Sequence, residues 1–149
     1  MPGYRKPFRV ELLTPEGTVA SLDAVSVVYP AADGQAGVLG GHAALVALLG
    51  AGAMTISAAD GRTEEYFVAG GFAHVRENDL TVLAEEAIPT RKLDAEEAWA
   101  EIVRARAIRP TTDLAYARRR ETLHAARVKF ALAQKRRRAQ GRAGGEFRE

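Results

Sequence analysis

The stretch Asp33-Gly34-Gln35-Ala36-Gly37-Val38-Leu39-Gly40-Gly41-His42-Ala43-Ala44-Leu45-Val46 decides how the chain is read. It is a glycine-punctuated loop running into an apolar segment, and beyond Asp33 its one ionisable side chain is His42. Four glycines in so short a span permit positive φ and close backbone approach, so a specific bend is expected. Residues before it read as strands leading in, and residues after it, to about 88, read as strands leading out. Beyond that the period and the charge both change.

Upstream, Phe8, Val10 and Leu12 alternate with Arg9 and Glu11, the period of a half-buried strand. Thr14-Pro15-Glu16-Gly17 supplies turn chemistry, and Val25, Val27 and Tyr29 alternate again until Pro30. Downstream, Met54–Ala58 and Tyr66–Val68 flank Asp60-Gly61, a hairpin signal. Phe72–Val75 and Leu80–Leu83 flank Glu77-Asn78-Asp79, a second one. Gly70-Gly71 marks a bulge or a bend where the chain crosses between sheets. Ala43–Leu49 fits either a buried strand or a helical turn. The pattern predicts a β-sandwich N-terminal domain over residues 1–88, mostly antiparallel, with about ten short strands.

At Leu93 the period becomes helical. Asp94 is an N-cap with Glu97 three residues on, and Ala95, Ala98, Trp99, Ile102 and Val103 form one apolar face. Pro110 should end this helix near Ile108. Thr111, Thr112 and Asp113 offer caps for a second helix to about Arg138, with a seam of Tyr116, Leu123 and Phe130 and small Ala126 and Ala133 beside it. Residues 89–138 thus read as an α-helical antiparallel hairpin, which needs a surface to dock on, and 139–149 as a disordered Arg/Gly-rich tail.

The chain has 149 residues and no cysteine, so disulfide and thiolate chemistry are excluded. No apolar run approaches the ~20 residues of a membrane span, and residues 1–9 lack the apolar core of a signal peptide, so a soluble, unprocessed chain is expected. The formal charge of +2 conceals a split: residues 1–90 carry a net −6 and residues 91–149 a net +8. A basic half of that kind suits an acidic partner.

For chemistry, His42 is the strongest lone candidate, yet no second His, Cys or carboxylate sits at ligand spacing from it. Gly50-Ala51-Gly52 lacks the Lys-Ser/Thr of a phosphate loop, and Glu85-Glu86 at a strand end would point to opposite faces. No catalytic residue and no metal ligand is expected. Arg118, Arg119, Arg120, Arg127 and Lys129, with Lys135 to Arg138, face a single carboxylate, Glu121, between residues 118 and 138. Their aromatic neighbours Tyr116 and Phe130 lie on the apolar seam, so base stacking has no platform. An acidic protein is the expected partner. The alternative is a small β domain with a basic helical tail that binds nucleic acid, with a steep salt dependence.

Together these residues resemble the ε subunit of the F-type ATP synthase, over about residues 8–138. The resemblance rests on Thr14-Pro15-Glu16-Gly17, the glycine-rich loop ending in Gly41-His42-Ala43, Val68-Ala69-Gly70-Gly71-Phe72 and Leu80-Thr81-Val82-Leu83-Ala84. It rests also on Leu93-Asp94 ahead of a helix and on Asp113 through Ala115-Tyr116-Ala117. It implies a non-catalytic central-stalk subunit of a proton- or sodium-driven rotary motor, peripheral on the cytoplasmic face of a bacterial inner membrane. The sandwich would meet the γ subunit through His42, Ala43 and Leu45 and the c-ring through Ala32, Asp33 and Gln35. The basic helix, through Arg118, Arg119, Arg120, Arg127 and Lys129, would reach the catalytic β and α subunits and restrain ATP hydrolysis. No nucleic acid is implied.

Three departures carry expectations. The family often has proline where Gly40 and Ala44 stand, which implies a more flexible loop. Members that bind ATP carry an arginine where Leu93-Asp94-Ala95-Glu96-Glu97-Ala98 has Glu97. Leu93, Asp94 and Ala98 are therefore the matching ATP positions, but a carboxylate beside them repels phosphate, so weak or absent ATP binding and no cofactor are expected. Neutral Gln35 occupies a position expected to offer an acid to the c-ring.

Overall fold

The computed structural model describes residues 6–145 and divides into two compact units meeting at Pro89 and Thr90. The first begins with β1 (Phe8–Thr14), which buries Phe8, Val10 and Leu12 and leaves Arg9 outside, as its period requires. The Pro15-Glu16 turn leads to β2 (Gly17–Ala31), a strand of 15 residues. There follow β3 (Gly34–Leu39), β4 (Leu45–Leu48), β5 (Gly52–Ala58), β6 (Thr63–Ala69), β7 (Phe72–Arg76), β8 (Asp79–Leu83) and β9 (Glu86–Pro89). Nine strands are present among the described residues, and β2 is the longest of them.

That length makes the sandwich. Ala24 of β2 pairs with both Phe8 and Ala58, and Ser26 pairs with both Leu39 and Ser57. Hence β1 and β3 follow one another along one edge of β2, with β5 on the other. One layer runs β4-β7-β8-β1-β2 and the other β3-β2-β5-β6-β9, with β2 shared. All pairs are antiparallel except β1 with β8. A register shift against β5 between Ala24 and Ser26 resets the inward phase. Ala24, Val27, Tyr29 and Pro30 are the buried residues of β2, and Val25, expected in the buried set, is only half-buried.

The two layers enclose a core of Val10, Leu12, Val27, Tyr29, Met54, Ile56, Val68, Leu80 and Val82. Gly70 and Gly71, at φ 70° and 91°, carry the chain from β6 in one layer to β7 in the other. A Cβ at Gly71 would run into the Leu83 carbonyl, so this crossover demands glycine. The β7–β8 turn places Glu77 and Asn78 at φ 50° and 66° between the paired Arg76 and Asp79, a two-residue turn of the left-handed type.

The second unit opens with a single 3-10 turn (Thr90–Lys92), followed by α1 (Ala95–Ala107) and α2 (Asp113–Gly145). Asp94 caps α1, accepting from the Glu96 and Glu97 amides at 2.8 and 3.3 Å. Ile108, extended at ψ 127°, ends it ahead of Pro110. Thr112 caps α2 through its hydroxyl, 3.1 Å from the Ala115 amide. The helix does not stop near Arg138: it continues to Gly145. Residues 139–145 of the segment expected to be disordered are helical. Residues 146–149 of that expected tail lie outside the described residues.

The helix–helix seam keeps the expected Ala98, Ile102, Ala126 and Ala133, adds Ala105 and Lys129, and loses Tyr116. Ala98, Ile102 and Ala105 of α1 are buried, as are Ala126, Lys129 and Ala133 of α2. Tyr116 is 60% exposed, since it lies a turn beyond the point where Arg119 meets the end of α1. Trp99 and Val103 flank the seam half-exposed, and the Trp99 ring tilts onto Phe130 at 5.5 Å between centroids.

Candidate functional site

The hairpin between β2 and β3 closes on the pair Ala31 and Gly34, so Ala32 and Asp33 form its tip. Ala32, Asp33 and Gln35, the expected c-ring contacts, are exposed together there. The Ala32 amide donates to the Leu48 carbonyl at 2.9 Å, tying the tip to the far end of β4. Behind it, burial first and the Asp33 charge second push the Tyr29 hydroxyl above its usual range. The tip therefore presents one carboxylate, one amide and little else.

The glycine loop lies at the other end of β4. Gly41 takes φ 81°, and the His42 amide closes a turn on the Leu39 carbonyl at 3.1 Å. A Cβ at Gly40 would collide with the Lys6 carbonyl, so the loop packs its backbone directly on the N-terminal strand's approach. His42 and Ala43 are exposed, and His42 Nδ1 sits 2.8 Å from the Ala43 carbonyl oxygen. A carbonyl only accepts, so Nδ1 carries the proton. Among the described residues no group of three His, Cys, Asp or Glu side chains could hold a metal ion.

Leu45, the third expected γ contact, turns inward and packs on the core. Alternation hands the outward positions of β4 to Val46 and Leu48, each 69% exposed. In register across the layer, Leu48 lies beside Phe72, Phe72 beside Leu83, and Leu83 beside Leu13. The next file is Val46, His74, Thr81 and Glu11. An apolar file, with Val46 beside it, thus stands open on the sheet between the His42 loop and the Asp33 tip, which β4 separates by roughly 10 Å at the usual strand rise. Sequence reading missed Val46, Leu48, Phe72 and Leu83 as a set. Leu45-Val46-Ala47-Leu48 is apolar throughout, so only the β7 register says which half faces out.

In the helical unit the five basic residues part company. Arg118, Arg120 and Arg127 are exposed, whereas Arg119 and Lys129 turn into the hairpin, since successive residues on a helix point about 100° apart. Arg119 donates to the carbonyls of Ala105 and Arg106 at 3.1 and 3.3 Å, satisfying the open end of α1. Lys129 is buried and donates to Glu101 at 3.1 Å. The basic face available to a partner is therefore narrower than the sequence suggested.

Of the matching ATP positions, Asp94 spends its carboxylate on the α1 cap and Ala98 is buried in the seam. Leu93 is half-buried and Glu97 exposed. An open cleft of about 510 Å³ lies nearby, lined in part by Arg91, Lys92, Asp94, Glu96, Arg136 and Arg137, so both signs of charge meet in it.

Comparison with known proteins fits this geometry. Residues 7–90 match the family model described as ATP synthase, Delta/Epsilon chain, beta-sandwich domain. The ATP synthase epsilon chain of Propionigenium modestum, sodium ion specific, is 35% identical over 85% of this chain and 93% of its own. That of Granulibacter bethesdensis is 38% identical over 70% and 77%. A chain in the cryo-EM structure of Euglena gracilis mitochondrial ATP synthase, comprising OSCP, F1 and c-ring, superposes with a TM-score of 0.73. It is 21% identical, with 88% of this chain and 84% of that one covered, and so speaks for the fold. A β-sandwich matched along its whole length, and a relative aligned over 85% of the chain, place this chain in the family of ATP synthase epsilon chains.

Proposed function

We propose that this chain is a non-catalytic subunit that couples ion-driven rotation of a c-ring to a catalytic head and restrains ATP hydrolysis through α1 and α2. The observation that carries the reading is a separation on one chain: an open apolar sheet face on one unit and an exposed arginine face on the other. The apolar face with the His42 loop docks on the γ subunit, and Ala32, Asp33 and Gln35 meet polar loops of the c-ring. Arg118, Arg120 and Arg127 reach acidic segments of the catalytic β and α subunits when the hairpin opens. An open state gains population only as far as those contacts differ in free energy from the closed ones. No helix among the described residues is long and apolar enough to cross a membrane. On this reading membrane contact comes through the complex, at the cytoplasmic face of a bacterial inner membrane, and nucleic acid is not a partner.

The test is ATP hydrolysis by a purified αβγ core, titrated with the full chain and with a variant carrying alanine at positions 118, 120 and 127. Both should bind, and the wild-type chain alone should slow hydrolysis. Equal inhibition by the two would remove the arginine face from the mechanism. No binding of the wild-type chain to the core, with tight salt-sensitive binding to RNA or DNA, would replace the reading with the nucleic-acid one.

Nucleotide is no cofactor of this hairpin on the same reading. Glu97 adds a carboxylate next to Asp94, and Asp94 is already engaged with two backbone amides. Calorimetric titration with ATP should show no micromolar affinity, and a micromolar dissociation constant would overturn this.

A further inference from the structure

We infer that Asn78 is a positioning residue for the γ-facing loop, a clasp that holds Gly40–Ala44 and so presents His42. Its carboxamide reaches two segments far away in sequence. Oδ1 accepts from the Gly41 amide at 3.1 Å, and Nδ2 donates to the Pro7 carbonyl at 3.1 Å. The loop it holds has two consecutive glycines, one at φ 81°, and residues 41–44 are exposed. Such backbone has wide conformational freedom, and the turn bond from His42 to Leu39 is local and leaves the loop's attitude to the sheet open. The bond from Gly41 to Asn78 supplies the long-range restraint.

Residue chemistry explains why asparagine stands here. The β7–β8 turn needs a left-handed conformation at position 78, φ 66°, which glycine meets most easily and asparagine tolerates. Glycine would serve the turn but offer no side chain. Aspartate would accept from Gly41 yet could not donate to Pro7. Asparagine alone among the short turn residues combines the backbone preference with one donor and one acceptor. The clasp also fixes the loop against β1's approach, where Gly40 meets the Lys6 carbonyl.

The inference rests on the reading that this loop faces γ, and the experiment separates the two. Amide hydrogen exchange at Gly41 and affinity for purified γ are measured on the full chain, wild type, Asn78→Gly and Asn78→Asp. Asn78→Gly keeps the turn, so exchange at Val75 and Leu80 should hold while Gly41 exchanges about tenfold faster and Kd for γ rises about tenfold. Asn78→Asp should fall between, with Gly41 partly protected. Unchanged Gly41 exchange in Asn78→Gly would overturn the clasp. Faster exchange with unchanged γ affinity would overturn its positioning role. A wild-type chain that fails to bind γ would overturn the docking reading itself, and the positioning role with it, whatever Gly41 does.

Discussion

Glu101→Ala is expected to speed hydrogen exchange across α1 and the facing turns of α2 by about 100-fold, roughly 2–3 kcal/mol. The Lys129 side chain is 9% exposed and that of Glu101 29%, at 3.1 Å. Deleting the acid takes one carboxylate away from a buried ammonium, a change that costs about 3–5 kcal/mol in fully buried pairs, and less here because Glu101 is in reach of water. Lys129→Met should behave differently. It fills a similar volume with apolar atoms, and the acid left behind can hydrate, so exchange should stay near the wild-type rate. The asymmetry is the informative part: a seam held by packing alone would respond to both changes alike. In the assay with the αβγ core, Glu101→Ala should inhibit at lower concentration, because opening no longer competes with the pair. Faster exchange with unchanged inhibition would show that the hairpin's closure does not limit the brake. Unchanged exchange would show that the pair does not hold the seam.

The fold was legible wherever a local rule decides. Phe8, Val10 and Leu12 needed only a period of two, Gly70-Gly71 only the need for positive φ, and Asp94 only its capping chemistry. Legibility failed where a distant partner decides. The inward phase of β2 is reset by a register shift against β5, which no local pattern announces. Leu45 and Val46 are equally apolar, and β7 chooses between them. Arg119 and Lys129 read as solvated charges until α1 supplies carbonyls and a carboxylate to receive them. Proline-free residues 39–44 read as a flexible loop, and the tie at Asn78 comes from 37 residues away. The fold was therefore visible in the sequence to a greater depth than the surfaces, because cores are written in periods and surfaces in registers.

Phe72→Asp is expected to weaken binding to γ by 100-fold or more while the sandwich stays folded. Phe72 is 40% exposed on the outer face and lies between Leu48 and Leu83 in the cross-strand file. An aromatic ring at the centre of an apolar patch is the residue type and position at which truncation costs about 2–4 kcal/mol in interfaces. A carboxylate adds the cost of taking a charge out of water against leucine neighbours. Folding loses less, because position 72 points away from the core, so a Tm drop of only a few degrees is expected. Thr63→Asp, at an exposed site on β6 in the other layer, is the control and should bind γ as the wild type does. Salt divides this contact from the arginine face. Apolar docking should hold between 0.05 and 0.5 M salt on the order used for screening tests, whereas contacts through Arg118, Arg120 and Arg127 should weaken as the Debye length shrinks. If Phe72→Asp bound γ like the wild type, the apolar file would be no docking surface, and the His42 loop alone would have to carry the contact. If Thr63→Asp failed as well, the second layer would belong to the interface, and γ would have to embrace both faces of the sandwich.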